Sequence, residues 1–309
     1  MEPGVAAFSS QPGPTICLGC CRHYRVQAMI EINGTAYRLA LLDTNMLSEI
    51  AKHDEMLPNY WAWAMSTSPA YVPCFSPFSV LELRRQPDVY RRFVERFDTE
   101  IPCFMLKGYE ELLEAETRTY PDPSRLDPTS LAFSPLGADG NRLAPVFDNP
   151  PAIKILEERE RAWHSVAEEI IEGIVSLVPN YPPKGATYTT DEVRFFVFLT
   201  GLSQIGMRQH AFMKRSLGRG QTLEIDAFPS VKAMTYSVFH RFYDDRGRRS
   251  APPSDTFDLL ISAATPYVDA VITEKFQAEV LRKTKLRDGF IDHVEVFRIT
   301  DFRASPPLG

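Results

Sequence analysis

The segment Leu-Leu-Asp-Thr-Asn-Met-Leu-Ser-Glu-Ile, residues 41–50, constrains this chain more than any other. A mostly apolar run from Tyr37 to Leu42 stops at Asp43, and a helix-like pattern starts within a few residues. Short apolar runs bounded this way suit strands buried on both faces, as in parallel sheets. A carboxylate at the carboxyl tip of such a strand stands where open α/β sheets place their ligands. Taken alone, an Asp after a strand is more often a turn or a helix cap. Its meaning depends on partners elsewhere in the chain.

The pattern recurs. Extended runs are expected at Tyr71–Phe75, Ile101–Met105, Ala270–Thr273 and His293–Ile299. Helices are expected over Met46–His53, after Ser76 and Pro77, and over Gly108–Thr117, Ser254–Thr265 and Phe276–Thr284. Asn45 and Ser48 are the candidate caps of the first helix, and Pro77 suits a first helical turn. Tyr120–Pro151 is Pro-rich and reads as loop. Helical spacing follows over Ile153–Val178, Asp191–Leu217 and Ser230–Tyr243. The sequence therefore divides into a tail over 1–28, an α/β domain in two pieces (29–119 and 246–303), and a mostly helical insertion over 120–245.

Bulk properties narrow the classes. The content is 44% hydrophobic and 24% charged, as in ordinary globular proteins. A net charge of −6 disfavours a protein that merely coats nucleic acid. No apolar run approaches the roughly 20 residues of a membrane span, and Met1–Thr15 lacks a signal-peptide pattern, so a cytoplasmic protein without membrane contact is expected. Cys17, Cys20 and Cys21 with His23 resemble half a zinc site, but a second ligand pair is missing, so a tail is the expectation there. Cys74 and Cys103 fall in apolar, strand-like segments.

Four places carry candidate chemistry. Asp43 ends a strand and is followed by Thr44 and Asn45. Glu82 lies in Phe-Ser-Val-Leu-Glu-Leu, early in a helix. Asp255 and Asp258 lie in Ser-Asp-Thr-Phe-Asp-Leu-Leu-Ile-Ser-Ala-Ala. Asp269 and Glu274 bracket Ala-Val-Ile-Thr, which ends in Thr273. In these motifs the chain resembles the PIN-domain family of metal-dependent ribonucleases, which includes the bacterial VapC toxins. The resemblance covers roughly Met29–Arg118 and Ser250–Phe302. It implies a three-layer α/β/α fold with a central parallel sheet, and Asp43, Glu82 and Asp258 as the first three acids. The family places Asp or Asn just after the closing Thr, where this chain has Glu274 and Lys275. The fourth acid is then Glu274, Asp269 or Asp255, or the site has three. The 175 residues between Glu82 and Asp258 exceed the family's usual span.

The implied activity is hydrolysis of phosphodiester bonds, in RNA or alternatively DNA, with Mg²⁺ or Mn²⁺ as cofactor. Hard cations of this kind select carboxylate oxygens and water. Asn45 and Thr273 would orient the carboxylates or bound water. Acids gathered without a cation would repel one another and raise at least one pKa. Arg246, Arg248 and Arg249, just ahead of Ser254, are candidate phosphate contacts. An inhibitory partner protein and a homodimer are further expectations from the family. The rival expectation is a PIN-like module that binds nucleic acid or protein without catalysis, with Lys275 replacing a metal's charge. No Walker loop, Gly-x-Gly-x-x-Gly or nucleophilic triad is readable.

Overall fold

Leu39 and Leu41 face one side of the central strand, and Ala40 and Leu42 face the other; all four are buried. Side chains of a strand alternate between faces, so a strand apolar on both must be covered on both. The computed structural model describes residues 29–32, 34–97, 103–126, 132–133, 149–162, 188–244 and 254–303, and it shows that covering. The cysteine-rich stretch around Cys17–Cys21 lies outside the described residues.

The strands are β1 (Met29–Ile32), β2 (Thr35–Leu42), β3 (Tyr71–Phe75), β4 (Phe104–Leu106), β5 (Ala132–Phe133), β6 (Ala270–Thr273) and β7 (Glu295–Arg298). They form one sheet in the order β5-β4-β3-β2-β6-β7, with β1 paired to the start of β2. β4, β3, β2, β6 and β7 run parallel, while β1 and β5 pair antiparallel. Gly34, at φ 78°, turns the β1–β2 hairpin in a conformation that suits glycine. From β2 the chain winds outward to β3 and β4, then returns to the other side of β2 as β6 and β7. The space between the carboxyl ends of β2 and β6 is therefore the topological switch point, where α/β sheets bind ligands.

Two apolar layers sandwich the sheet. On the Ala40/Leu42 face lie α1 (Thr44–Lys52), α2 (Met56–Ser66), α3 (Pro77–Arg84, through Val80 and Leu83) and α4 (Pro87–Phe97). Trp63 of α2 stacks on Tyr71 of β3 with ring centroids 4.6 Å apart. On the Leu39/Leu41 face lie α5 (Tyr109–Thr119), α10 (Ser254–Ala264) and Leu281 of α11 (Lys275–Asp288). The α/β/α layering with a central parallel sheet agrees with the sequence reading.

The insertion belongs to the second layer. A helical segment over 150–162 (α6) is followed by α7 (Thr190–Arg208), α8 (His210–Gly218) and α9 (Pro229–Phe239). Val193, Phe196, Val231, Met234 and Phe239 share one core with Leu39 and Leu41. Every residue of α9 is buried, including Lys232, whose ammonium meets Asp226 at 2.5 Å and Asp288 at 2.8 Å. Among the described residues, no helix is long and apolar enough to cross a membrane.

Several boundaries differ from the sequence expectation. The run expected over Ile101–Met105 forms β4 over Phe104–Leu106, with its first two positions, 101–102, outside the described residues. The pattern over Asp191–Leu217 breaks at Gln209, where the backbone leaves helical geometry (φ −125°, ψ 47°). Helix α4 has little sequence signature because it is strongly polar; only Phe93 and Phe97, four residues apart, are buried. β5 falls inside the stretch read as loop and adds a short antiparallel edge.

Candidate functional site

Asp43 sits one residue beyond β2 and is buried. Its backbone N–H donates to the Ile272 carbonyl at 3.2 Å, so the β2–β6 pairing runs on into the acid. The side chain caps α1: Oδ1 accepts the Met46 N–H at 2.7 Å. Sequence reasoning gave that capping role to Asn45 and Ser48, and Asp43 takes it instead. A cap needs an extended backbone one residue before the first turn, and Asp43 has it (φ −73°, ψ 171°). Oδ2 accepts the Thr273 hydroxyl and the Glu274 N–H, the latter at 3.2 Å. One carboxylate thus joins the ends of two neighbouring parallel strands. Burial pushes the Asp43 carboxyl up to about 7, and the charge of Asp258 adds to the rise; the Thr273, Met46 and Glu274 donors oppose it.

Glu82 lies in the last turn of α3, not early in the helix as the sequence suggests, and is half-buried. Burial raises its pKa, and the charges of Asp258 and Glu274 raise it further, against the nearby Thr44 hydroxyl and the Arg85 guanidinium. The Thr44 Oγ1 is itself buried without a hydrogen bond of sound geometry among the described residues. Glu274, at the tip of β6, accepts the Asn45 side-chain amide at 3.5 Å. The charge of Asp258 therefore reaches both Asp43 and Glu82, and that of Glu274 reaches Glu82, around the carboxyl ends of β2 and β6.

Not every candidate joins this group. Asp269 lies at the opposite end of β6, roughly 13 Å along the strand from Thr273. There Oδ2 accepts the Leu39 N–H at 3.1 Å. That contact extends the sheet's ladder, so Asp269 is withdrawn as a fourth acid. The Asp255 side chain, and Arg246, Arg248 and Arg249 altogether, lie outside the described residues. Lys275 is exposed and forms no ion pair to the described residues.

The cation that meets an acid is one the sequence reading did not single out. Arg241, buried, donates from Nη2 to Asp258 Oδ2 at 2.7 Å. It was legible in principle. Arg241 stands alone in Val-Phe-His-Arg-Phe-Tyr, and a charge in an otherwise apolar helical run must find an opposite charge.

The donor chemistry suits a hard divalent ion: every candidate donor is oxygen, and Asp43 and Glu82 both resist ionisation, chiefly because they are buried. Their arrangement does not complete such a site. Among the described residues, no three of His, Cys, Asp and Glu converge closely enough to hold an ion. A cleft of about 530 Å³ opens between α3 and α6. Arg84, Arg85 and Arg161 line it, with Glu157 and Glu160. Arg85 pairs with Glu160 and lies 5.6 Å from the centroid of the Phe257 ring, next to Asp258 in sequence. Comparison with protein-family models, curated proteins and solved structures finds no match to this chain.

Proposed function

We propose that the chain is a PIN-like, Mg²⁺- or Mn²⁺-dependent endonuclease acting on RNA. The observation that carries the reading is that Asp43 and Glu274 meet through a hydrogen bond at the carboxyl ends of β2 and β6, the switch point of a parallel sheet, where the charge of Asp258 acts on both Asp43 and Glu82. Asp43, Glu82, Asp258 and Glu274 are the residues that would hold the ion. A divalent ion held by these oxygens would supply charge stabilisation at the phosphate and would lower the pKa of an attacking water. The protein's own part is positioning. Thr273 and the Glu274 N–H fix the orientation of Asp43, and Asn45 contacts Glu274. Arg84 and Arg161, which line the cleft between α3 and α6, would meet a nucleic-acid backbone there.

The test is cleavage of single-stranded RNA, structured RNA and DNA by the purified full chain, with and without Mn²⁺. Asp43→Asn should remove metal-stimulated cleavage while the protein keeps its cooperative melting. Equal cleavage by wild type and variant would sink the nuclease reading.

One observation favours a second reading, a nucleic-acid- or protein-binding module without catalysis. Asp258 is already paired with a buried cation, Arg241. Under that reading RNA binds with the same affinity whether or not Mn²⁺ is present, and no cleavage accompanies it.

A further inference from the structure

Arg241 lies in the π-helical turn His240–Asp244 that directly follows α9, and its side chain is 1% exposed. Single π-turns recur at functional sites because they re-aim one side chain out of the helical register. A buried guanidinium is tolerated only when it is paired and its N–H groups are engaged. Here Nη2 donates to Asp258 Oδ2 at 2.7 Å, and Nε donates to Gln277 Oε1 at 3.2 Å; Nη2 also reaches that same Gln277 oxygen. The Gln277 amide donates to Ser262 Oγ at 2.6 Å, and the Ser262 hydroxyl donates to the Asp258 carbonyl at 2.6 Å. The Phe276 ring lies 5.1 Å from the guanidinium carbon. Three elements thus fix one cation: the end of the insertion, the helix bearing Asp258, and the helix that follows β6. Asp258 is the more open partner, its side chain 20% exposed.

We infer that Arg241 is a built-in counter-ion of the carboxylate cluster, a positioning residue that offsets the charge of Asp258 and competes there with a divalent cation. The inference rests on reading the cluster as a divalent-ion site. It accounts for the acids that lie near one another without converging: the third acid's charge is met by the insertion. It also gives the insertion a role that a covering helix would not have.

The test is direct Mn²⁺ binding to the full chain, by calorimetry or electron paramagnetic resonance, without RNA. Arg241→Gln removes the positive charge and keeps hydrogen-bonding capacity, so Mn²⁺ affinity should rise about tenfold or more, as expected for one unit charge deleted near a divalent site. If wild type binds Mn²⁺ and Arg241→Gln binds it equally or more weakly, the inference falls and the nuclease reading stands. If wild type binds none and Arg241→Gln gains binding, the inference holds and the nuclease reading falls. If neither binds, both fall. Should Arg241→Gln lose its cooperative melt, Arg241→Lys carries the test. It keeps the charge without the planar fork, so affinity within about threefold of wild type supports a counter-ion; a larger loss overturns it.

Discussion

Asp43 is at once a helix cap, a tie between two strand ends and the first acid of the proposed site. These roles pull its chemistry in opposite directions: burial disfavours the anion, while its donors favour it. The Thr273 hydroxyl is the donor most open to a clean test. Thr273→Val keeps the shape and deletes one hydrogen bond into Asp43, leaving the Glu274 and Met46 N–H groups in place. Metal-stimulated cleavage should fall about 10–100-fold, the usual cost of losing a group that orients a ligand. Stability should fall by about 1–2 kcal/mol. Cleavage at the wild-type rate alongside that loss of stability would make Thr273 a structural tie only. Asp43 and Thr273 were both readable from the sequence, because a strand that ends abruptly in an acid or hydroxyl marks its own tip. Arg241 was not picked out, because its partner Asp258 is seventeen positions away, across residues 245–253 whose path no local pattern gives.

At the scale of elements, a second buried acid shows how the insertion is attached. Glu116 of α5 is fully enclosed, and it accepts the Ser230 N–H at 2.6 Å, the Ser230 hydroxyl at 2.7 Å and the Tyr267 hydroxyl. Its carboxylate therefore clamps the start of α9 to α5 and to the turn after α10. Burial still pushes its pKa up to about 7 from an ordinary 4.5. An acid whose pKa is raised on folding binds more protons folded than unfolded between those two values, so its contribution is fullest below 4.5 and is lost as pH rises through 7. The size is on the order of 3 kcal/mol. Unfolding by denaturant from pH 4.5 to 8 should show this fall in wild type and a flatter profile in Glu116→Gln; identical slopes would contradict it. The cleft between α3 and α6 makes a separate prediction. Arg84→Ala and Arg161→Ala should weaken RNA binding without sequence preference, and each should reduce the salt slope by about 1. An unchanged slope would remove the cleft from the RNA path.

For the whole molecule, the sheet order and the two covered faces explain why the fold was largely legible. Apolar runs such as Leu39–Leu42 and Val271–Ile272 announce strands buried on both sides. The insertion was harder to read. Its helices are long and periodic, so their existence was plain, but nothing local tells whether they form a separate body or complete the main core. They complete it: Phe196, Met234 and Phe239 pack in the same core as Leu39 and Val72. Replacing residues 120–245 by a short linker should therefore abolish cooperative melting, since the Leu39/Leu41 face would lose much of its cover. A truncated chain that melts cooperatively would show the insertion to be an appendage.

The central claim is that the carboxylates at the ends of β2 and β6 form a metal-dependent phosphodiesterase site. The most direct measurement is RNA cleavage by wild type and Asp43→Asn, each with Mn²⁺ and with chelator. The account predicts cleavage by wild type with Mn²⁺ alone, and a loss of at least about 100-fold in Asp43→Asn with its melting transition retained. Cleavage that is equal in the two proteins, or indifferent to chelator, would contradict it.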